Sequence, residues 1–204
     1  MASTAPRREL AQLRREAATC TACDLHLHAT QTVFGEGPRD ARILLVGEQP
    51  GDREDREGHP FVGPAGGVLE RALDAATIRR EDVYVTNVVK HFKWEPRGKV
   101  RIHKKPNAAE IRACAPWWQA ELAAIEPEIV VALGATAAQA MLGPDVRVTR
   151  DRGVVLPAAA DGYDAIVTLH PSAILRASDD ARSALFDQLA ADLRLAAGCA
   201  TQAP

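Results

Sequence analysis

The chain has 204 residues, of which 47% are hydrophobic and 25% charged, an ordinary composition for a globular protein. Its net charge of -2 does not indicate a nucleic-acid partner, so any basic surface that binds nucleic acid would be confined to one part of the chain. It contains no apolar run long enough to span a membrane and no signal peptide, so a cytoplasmic protein is expected. The length favours a single domain over residues 1–204, and four cysteines in such a chain favour metal or redox chemistry over disulfides.

Stretches with helical spacing alternate with short apolar runs that are typical of buried parallel strands. This alternation predicts an α/β fold with a mostly parallel sheet covered on both faces by helices. The predicted elements are a helix at 7–19, a strand at 43–46, a helix at 66–76, a strand at 83–89, a helix from Asn107 to about 125, a strand at 129–134, a helix at 136–142, a minor strand pair at 146–148 and 154–156, a strand at 165–169 and a helix at 184–197.

Polar residues follow three of the predicted strands. The sequence Glu48-Gln49-Pro50-Gly51 follows the first strand, Asn87 lies near the end of the second, and His170-Pro171-Ser172 follows the fourth. In open α/β sheets ligands bind beyond the carboxyl ends of the strands, where an amide can donate and accept at once. Each motif alone is more often a turn, a cap or a core histidine, but together they predict a pocket for a flat, polar ring.

The segment from Lys90 to Pro106 is strongly basic in an otherwise acidic protein. Its proline and glycine residues exclude a regular helix, so it is predicted to be a loop. A basic loop with interleaved aromatic residues is typical of contacts to single-stranded or flipped-out nucleic acid, although a solvated charge run is the commoner explanation. The cations are Lys90, Lys93, Arg97, Lys99, Arg101, Lys104 and Lys105, opposed by Glu95, and the rings are Phe92, Trp94 and His103.

Three cysteines are candidate metal ligands. Cys20 and Cys23 form a C-x2-C pair after the first helix, Cys114 lies on the helix after the basic loop, and Cys199 follows the last helix. The pair alone is compatible with a zinc half-site, a redox pair or an iron-sulfur half-site.

The stretch from Arg42 to Gly67, RILLVGEQPGDREDREGHPFVGPAGG, resembles the first motif of the iron-sulfur (family 4) uracil-DNA glycosylases. QTVFGEG before it, Thr86-Asn87 and His170-Pro171-Ser172 extend the resemblance from Cys20 to Arg176. The resemblance implies a three-layer αβα sandwich around a four-stranded, mostly parallel sheet. It also implies a monomer in the bacterial cytoplasm, associated with the nucleoid, that binds uracil-containing DNA and releases uracil.

The resemblance assigns roles to the residues of the pocket. Gly47 and Gln49, with the backbone that follows, would contact uracil, Phe61 would stack on it and Asn87 would read its edge. His170, in one motif with Ser172, would support O2 of the departing base. Glu54 would exclude the methyl group of thymine, and Arg176 would replace the extruded nucleotide in the duplex.

The resemblance also implies a [4Fe-4S] cluster. Its ligands would be Cys20, Cys23, His91 and Cys114, with His91 where the family has its third cysteine; imidazole can ligate cluster iron. Two alternatives are Cys199 in place of His91, and zinc in place of the cluster. The cluster would clamp the N-terminal segment to the basic loop.

The added KVRIHKKP sequence and Gln49 resemble UdgX, the class that becomes covalently attached to uracil-containing DNA. His103 aligns with the histidine that attacks C1′ of the sugar, and Glu48 is its candidate partner. Arg101 aligns with the second arginine of the class motif, as a loop anchor or phosphate contact, while Val100 replaces the first. A multi-turnover family 4 glycosylase and a non-catalytic iron-sulfur DNA-binding module are the alternatives.

Overall fold

The computed structural model describes residues 9–158 and 162–200, and a central sheet with a separate hairpin organises this part of the chain. The strands are β1 (Ile43–Gly47), β2 (Val83–Asn87), β3 (Trp94–Arg97), β4 (Val100–His103), β5 (Ile129–Leu133), β6 (Val155–Ala158) and β7 (Tyr163–Thr168). The helices are α1 (Leu10–Ala17), α2 (Asp52–Glu57), α3 (Pro64–Ala75), α4 (Ala108–Ile125), α5 (Ala135–Leu142), α6 (Val148–Asp151), α7 (Pro171–Arg176) and α8 (Asp179–Ala200), with 3-10 turns at Asp24–Leu27 and Arg80–Asp82.

The central sheet has the order β2-β1-β5-β7-β6. Its first four strands run parallel, with Ile43 beside both Val83 and Ile129, and they are the four strands that the apolar runs predict. The fifth strand, β6, pairs antiparallel with β7. Its Pro157 is compatible with an edge strand, where a missing N–H costs little. The α/β fold is therefore confirmed, and in the described residues the central sheet has five strands instead of the four expected.

Helices cover both faces of the sheet because successive strand residues point to opposite sides. Leu45, Val85 and Val131 pack with α3, α7 and α8 in one core cluster, whereas Leu44, Val46 and Val130 pack with α4 and α5 in the other. Helix α1 packs on α4 through a third, smaller cluster. In the described residues, no helix is long and apolar enough to cross a membrane.

Several element boundaries differ from the sequence prediction. The minor strand pair is wrong: residues 148–151 form α6, and 155–158 pair with β7 instead of with 146–148. Helix α3 begins earlier because Pro64 suits the first helical position, and α8 begins at two aspartates that favour a helix N-terminus. The first two residues of the predicted N-terminal helix, Arg7 and Arg8, lie outside the described residues.

The basic segment contains a regular element that its sequence did not predict. Strands β3 and β4 form an antiparallel hairpin in which Trp94 lies opposite His103. Gly98, with a φ of 61°, supplies the positive φ that a two-residue hairpin turn needs. The proline and glycine residues that exclude a helix are thus compatible with a hairpin at the edge of the molecule.

Candidate active site

A cavity of about 1010 Å³ opens at the carboxyl ends of the parallel strands. Its walls come from the segments after β1, β5 and β7, from the last residue of β2, from α2, the start of α3 and α7, and from the end of the β3–β4 hairpin. The predicted site residues that line it are Glu48, Gln49, Glu54, Phe61, Asn87, His103, His170, Ser172 and Arg176. Gly47 and Arg101 lie behind this wall and shape it.

Asn87 provides a buried polar atom in the cavity wall. Its Oδ1 accepts no hydrogen bond from any described residue, although the side chain is only 3% exposed. A side chain at Gly47 on the neighbouring strand would collide with this oxygen and with the ring of Phe61. Glycine at 47 therefore lets the amide and the ring approach the same point. An unpaired buried acceptor is costly, so it marks a place where a ligand N–H is expected.

Phe61 is held in an uncommon backbone conformation beside Asn87. Its φ is 57°, and the adjacent helix α3 approaches so closely that a side chain at Gly66 would collide with the Phe61 carbonyl group. The Phe61 ring lies 6.2 Å from the imidazole of His170, tilted by 32°. An uncommon backbone conformation of this kind is retained where the surrounding contacts enforce it, and such positions often lie at ligand sites.

His170 is a neutral hydrogen-bond donor to the cavity. Its Nδ1 accepts the backbone N–H of Ser172 at 3.2 Å, so the ring proton lies on Nε2. Burial, together with the nearby Arg176 and His103, lowers the pKa of His170 to about 4. The imidazole therefore stays neutral at physiological pH and keeps an N–H to offer. The Ser172 hydroxyl also contacts Nδ1, at 2.8 Å, and accepts from Arg176.

His103 lies at the end of β4, within reach of Glu48 and Gln49. The Gln49 amide donates to Nε2 of His103 at 2.8 Å and to the Lys104 carbonyl group at 2.9 Å, while its oxygen accepts from the Lys93 N–H. Nε2 consequently carries a lone pair. Glu48 Oε1 lies 3.5 Å from the same nitrogen. Burial lowers the pKa of His103 below its ordinary value of 6.5; Glu48 opposes this shift and Arg176 adds to it.

Thr136 is a site residue that the sequence reading missed. Its hydroxyl donates to Oε2 of Glu48, and its side chain lines the cavity. Thr136 belongs to the first turn of α5, directly after the carboxyl end of β5. That position is the signal that could have identified it, since polar residues at the other parallel strand ends line the same cavity.

Glu54 and Arg101 connect segments around the cavity. The Glu54 carboxylate accepts the backbone N–H groups of Gly51 and Gly63, at 3.1 and 2.9 Å. Arg101 is 13% exposed, pairs with Asp52 and with Asp55 at 2.6 Å, and lies over the rings of Phe92 and Trp94. Of the two roles predicted for Arg101, this geometry supports the loop anchor.

The cations of the basic segment do not all face solvent. Lys90 is fully buried: its ammonium group donates to Glu121 at 2.5 Å and to the Asn87 carbonyl group at 2.9 Å. Its assignment to the basic DNA-facing loop is therefore wrong, because a buried, paired ammonium group cannot meet a phosphate. Lys93 and Lys104 pair with Glu110 and Glu95. In the described part of the chain, no ion pair is formed by Arg97, Lys99 or Lys105.

The candidate cluster ligands come from separate segments of the chain. Burial raises the pKa of the Cys114 thiol to about 12, with minor contributions from Cys20 and Cys23. Cys23 and Cys114 belong to the core cluster beneath α4, whereas Cys199 packs on the opposite face. Among described residues, no three His, Cys, Asp or Glu side chains are grouped as ligands of one metal ion.

His91 presents one free ring nitrogen. The Thr32 hydroxyl donates its proton to the Ala17 carbonyl group at 2.9 Å, so it accepts from Nε2 of His91, also at 2.9 Å. The lone pair of His91 is therefore on Nδ1. Burial lowers the pKa of this imidazole and favours its neutral form. Two further donors reach the cysteines: the Lys90 N–H contacts Sγ of Cys114, and the Trp117 indole N–H contacts Sγ of Cys20, each at 3.1 Å.

Residues 34–194 match the sequence model of a family described as the Uracil DNA glycosylase superfamily, and the chain belongs to that superfamily. It is 44% identical over 158 residues to a Type-4 uracil-DNA glycosylase of Thermotoga maritima, covering 77% of this chain and 78% of that protein. It is 34% identical to the Type-4 protein of Pyrobaculum aerophilum (82% and 85% covered) and 37% identical to that of Archaeoglobus fulgidus (79% and 80% covered).

Proposed function

We propose that this protein excises uracil from DNA and that His103 then becomes covalently bonded to C1′ of the abasic sugar. Its similarity to proteins named Type-4 uracil-DNA glycosylase supports the excision. The observation that carries the covalent step is the position of His103, whose neutral Nε2 lies beside Glu48 and Gln49 on the wall of the same cavity as Asn87 and His170.

Uracil would bind with its ring against Phe61 and its edge against Asn87. The unpaired Oδ1 of Asn87 suits the N3–H of uracil, and the amide N–H group suits O4. Cytosine has no proton at N3, so Oδ1 of Asn87 would face the lone pair of that nitrogen and form no hydrogen bond with it. Glu54, which two backbone N–H groups hold in the cavity wall, is the residue proposed to exclude the methyl group of thymine.

Excision would break the bond between C1′ and N1, and the electron pair would leave with uracil. The Nε2–H of His170 is the donor proposed for O2, where negative charge develops. Because the pKa of His170 is about 4, its ring is neutral at physiological pH. It therefore stabilises this anion as a hydrogen-bond donor and adds no charge to the pocket before the reaction. The uracil anion then takes up a proton from solvent.

The Nε2 lone pair of His103 would form the new bond to the electron-poor C1′. The ring becomes an imidazolium ion as this bond forms, and the Glu48 carboxylate, 3.5 Å away, stabilises the positive charge. The extra proton on Nδ1 then passes to solvent. Gln49 orients Nε2 before the attack and gives up its hydrogen bond during it. Each protein molecule therefore stays bonded to the abasic site that it has created, and it reacts only once.

The DNA-binding surface would include the hairpin tip and the mouth of the cavity. Arg97, Lys99 and Lys105 are the cations available for phosphates, and Arg176 at the end of α7 is the residue proposed to fill the space left by the extruded nucleotide. Arg101 holds the hairpin on α2 from behind.

We also propose a resident [4Fe-4S] cluster held by Cys20, Cys23, Cys114 and Nδ1 of His91. The chemistry of the donor set supports this proposal: it combines three unpaired thiols with an imidazole whose lone pair is on the free nitrogen, and Cys199 lies on the other face of the sheet. When bound, the cluster would be held by these three thiolates and the His91 imidazole. The bound cluster would connect the segment after α1 to the base of the β3–β4 hairpin and so stabilise both.

The competing function is a multi-turnover uracil-DNA glycosylase; the name of the relatives, Type-4 uracil-DNA glycosylase, specifies excision and not turnover. The test incubates the protein with single-stranded DNA containing one uracil, followed by a denaturing gel. A retarded band that resists heat and SDS, present in the native protein and absent from His103→Ser, supports the covalent reaction. Free abasic product without a band supports turnover by water. Intact uracil DNA would instead indicate a binding module without catalysis.

A further inference from the structure

Glu48 has two carboxylate oxygens with separate partners. Oε1 faces His103, and Oε2 accepts the hydroxyl proton of Thr136. The Glu48 side chain is 21% exposed and Thr136 is 6% exposed, so this second contact is shielded from solvent. A hydrogen bond to a carboxylate in such a place is stronger than one at the surface.

The sheet topology brings the two residues together. Strands β1 and β5 are parallel neighbours, and Glu48 and Thr136 follow their carboxyl ends. The backbone of Glu48 is also fixed, since its carbonyl group accepts the Val89 N–H at 3.0 Å. With the backbone held and Oε2 occupied, the direction of Oε1 is determined. Without the hydroxyl, the carboxylate could rotate about its last torsion angle, which is broad for glutamate.

We propose that Thr136 is a positioning residue, whose hydroxyl holds the Glu48 carboxylate so that Oε1 faces the nucleophilic nitrogen of His103. This inference rests on the proposed function and assigns a role to a residue outside the recognised motifs. In this role Thr136 acts through its hydrogen bond to Glu48. It acts on the reaction through the electrostatic environment of the imidazole.

Several charged or titratable groups face His103, and the test has to separate Thr136 from them. Glu48 comes from the end of β1 and Arg176 from α7, while His170 follows β7. Asp52, Arg53, Glu54 and Lys105 complete the charged lining of the cavity. The variants Thr136→Val and Thr136→Ser change none of these charges. Valine keeps the shape of threonine without the hydroxyl, and serine keeps the hydroxyl without the methyl group.

The experiment titrates the histidine side chains of the DNA-free protein by NMR, with the His103 signal assigned from its absence in His103→Ser. In Thr136→Val the Glu48 carboxylate loses the hydrogen bond that directs Oε1 at His103, so it stabilises the imidazolium ion less. The titration midpoint of His103 should therefore fall by about half a pH unit or more, and Thr136→Ser should return it to the native value. Thr136→Ala repeats the comparison if the valine variant does not fold.

The same variants are then followed in the cross-linking reaction. The covalent band should form about tenfold more slowly in Thr136→Val and at close to the native rate in Thr136→Ser. A native midpoint and a native rate in Thr136→Val would overturn the proposal. If the native protein forms no band while the midpoint still moves in Thr136→Val and returns in Thr136→Ser, the covalent function fails and the positioning of Glu48 by Thr136 stands.

Discussion

At the scale of single residues, Asn87 is the side chain whose environment points most directly to a bound base. Replacement by alanine removes both the buried acceptor and its amide donor, which are two hydrogen bonds to uracil in the proposed complex. We expect uracil release from DNA under single-turnover conditions to slow by about a hundredfold. The matched control is Asn107→Ala, which removes the cap of α4 away from the cavity and should lower stability with little effect on release. Equal rates in both variants would contradict the assignment.

The two histidines of the cavity predict an unusual response to acid. The attack by His103 requires a neutral ring, and its pKa is lowered from 6.5 by burial. Covalent bonding should therefore persist at about pH 6.5 and be lost as the pH falls through that lowered value. Uracil release depends on neutral His170, whose pKa is about 4. Between these two values the gel should show uracil released without the covalent band. Loss of both activities at a single pH would contradict separate roles for the two rings.

The roles of these residues were predictable only in part from their positions in the sequence. The ends of the parallel strands identified Glu48, Asn87 and His170, because strand direction alone brings them to one edge. The sequence could not show that Lys90 is buried, since its partner Glu121 is distant in the chain and lies on α4. Thr136 follows the end of β5 in the same way, but its role depends on the contact with Glu48, which the sequence does not show.

At the scale of elements, the β3–β4 hairpin carries His103 and is fastened mainly by Arg101. Replacement of Arg101 by lysine keeps the charge but removes the planar fork that contacts both Asp52 and Asp55. We expect backbone amides of residues 94–103 to exchange with deuterium about tenfold faster, while those of α3 are unchanged. Covalent bonding should slow more than uracil release, because the hairpin carries the nucleophile.

The control for the hairpin is Arg150→Lys, which alters an exposed ion pair on α6. A surface pair of this kind contributes little, so its exchange pattern and its reactions should match those of the native protein. An unchanged hairpin in Arg101→Lys would show that other contacts fasten it, such as the Trp94 indole N–H to the His28 carbonyl group at 2.9 Å.

Secondary structure was easiest to predict where periodicity and burial coincide. The four parallel strands consist of continuous apolar residues, and each was predicted to within a few residues. Short helices such as α2 and α7 escaped prediction because six residues show no period. They depend on local caps: Glu54 accepts the Gly51 N–H in α2, and Nδ1 of His170 accepts the Ser172 N–H in α7. In both helices the capping side chain also lines the cavity, so local folding and the site are coupled.

At the scale of the whole molecule, the four cysteines lie on two faces of one sheet. Cys114→Ser removes a proposed cluster ligand, whereas Cys199→Ser alters a thiol packed on the other face. We expect the first variant to lose most of its iron, acid-labile sulfide and visible absorbance, and the second to retain them. Because the metal contributes to folding in sites of this kind, Cys114→Ser should also unfold at a lower temperature. Iron loss in Cys199→Ser alone, or zinc without sulfide in the native protein, would contradict the proposed ligand set.

The fold and the site follow from the sequence to different extents. A parallel sheet with a polar edge follows from strand pattern and chain direction alone. The arrangement around His103 does not, since it needs the hairpin register that places Trp94 opposite His103 and the contacts that bring Gln49 to Nε2. Those contacts join residues about fifty positions apart and involve backbone groups with no sequence signature.

The most direct test of the whole account is peptide mass spectrometry of the protein after reaction with uracil-containing DNA and nuclease digestion. The account predicts a deoxyribose-phosphate adduct on the peptide that contains His103, localised to its imidazole by fragmentation. An adduct on a peptide without residue 103, or complete uracil release with no adduct on any peptide, would contradict it.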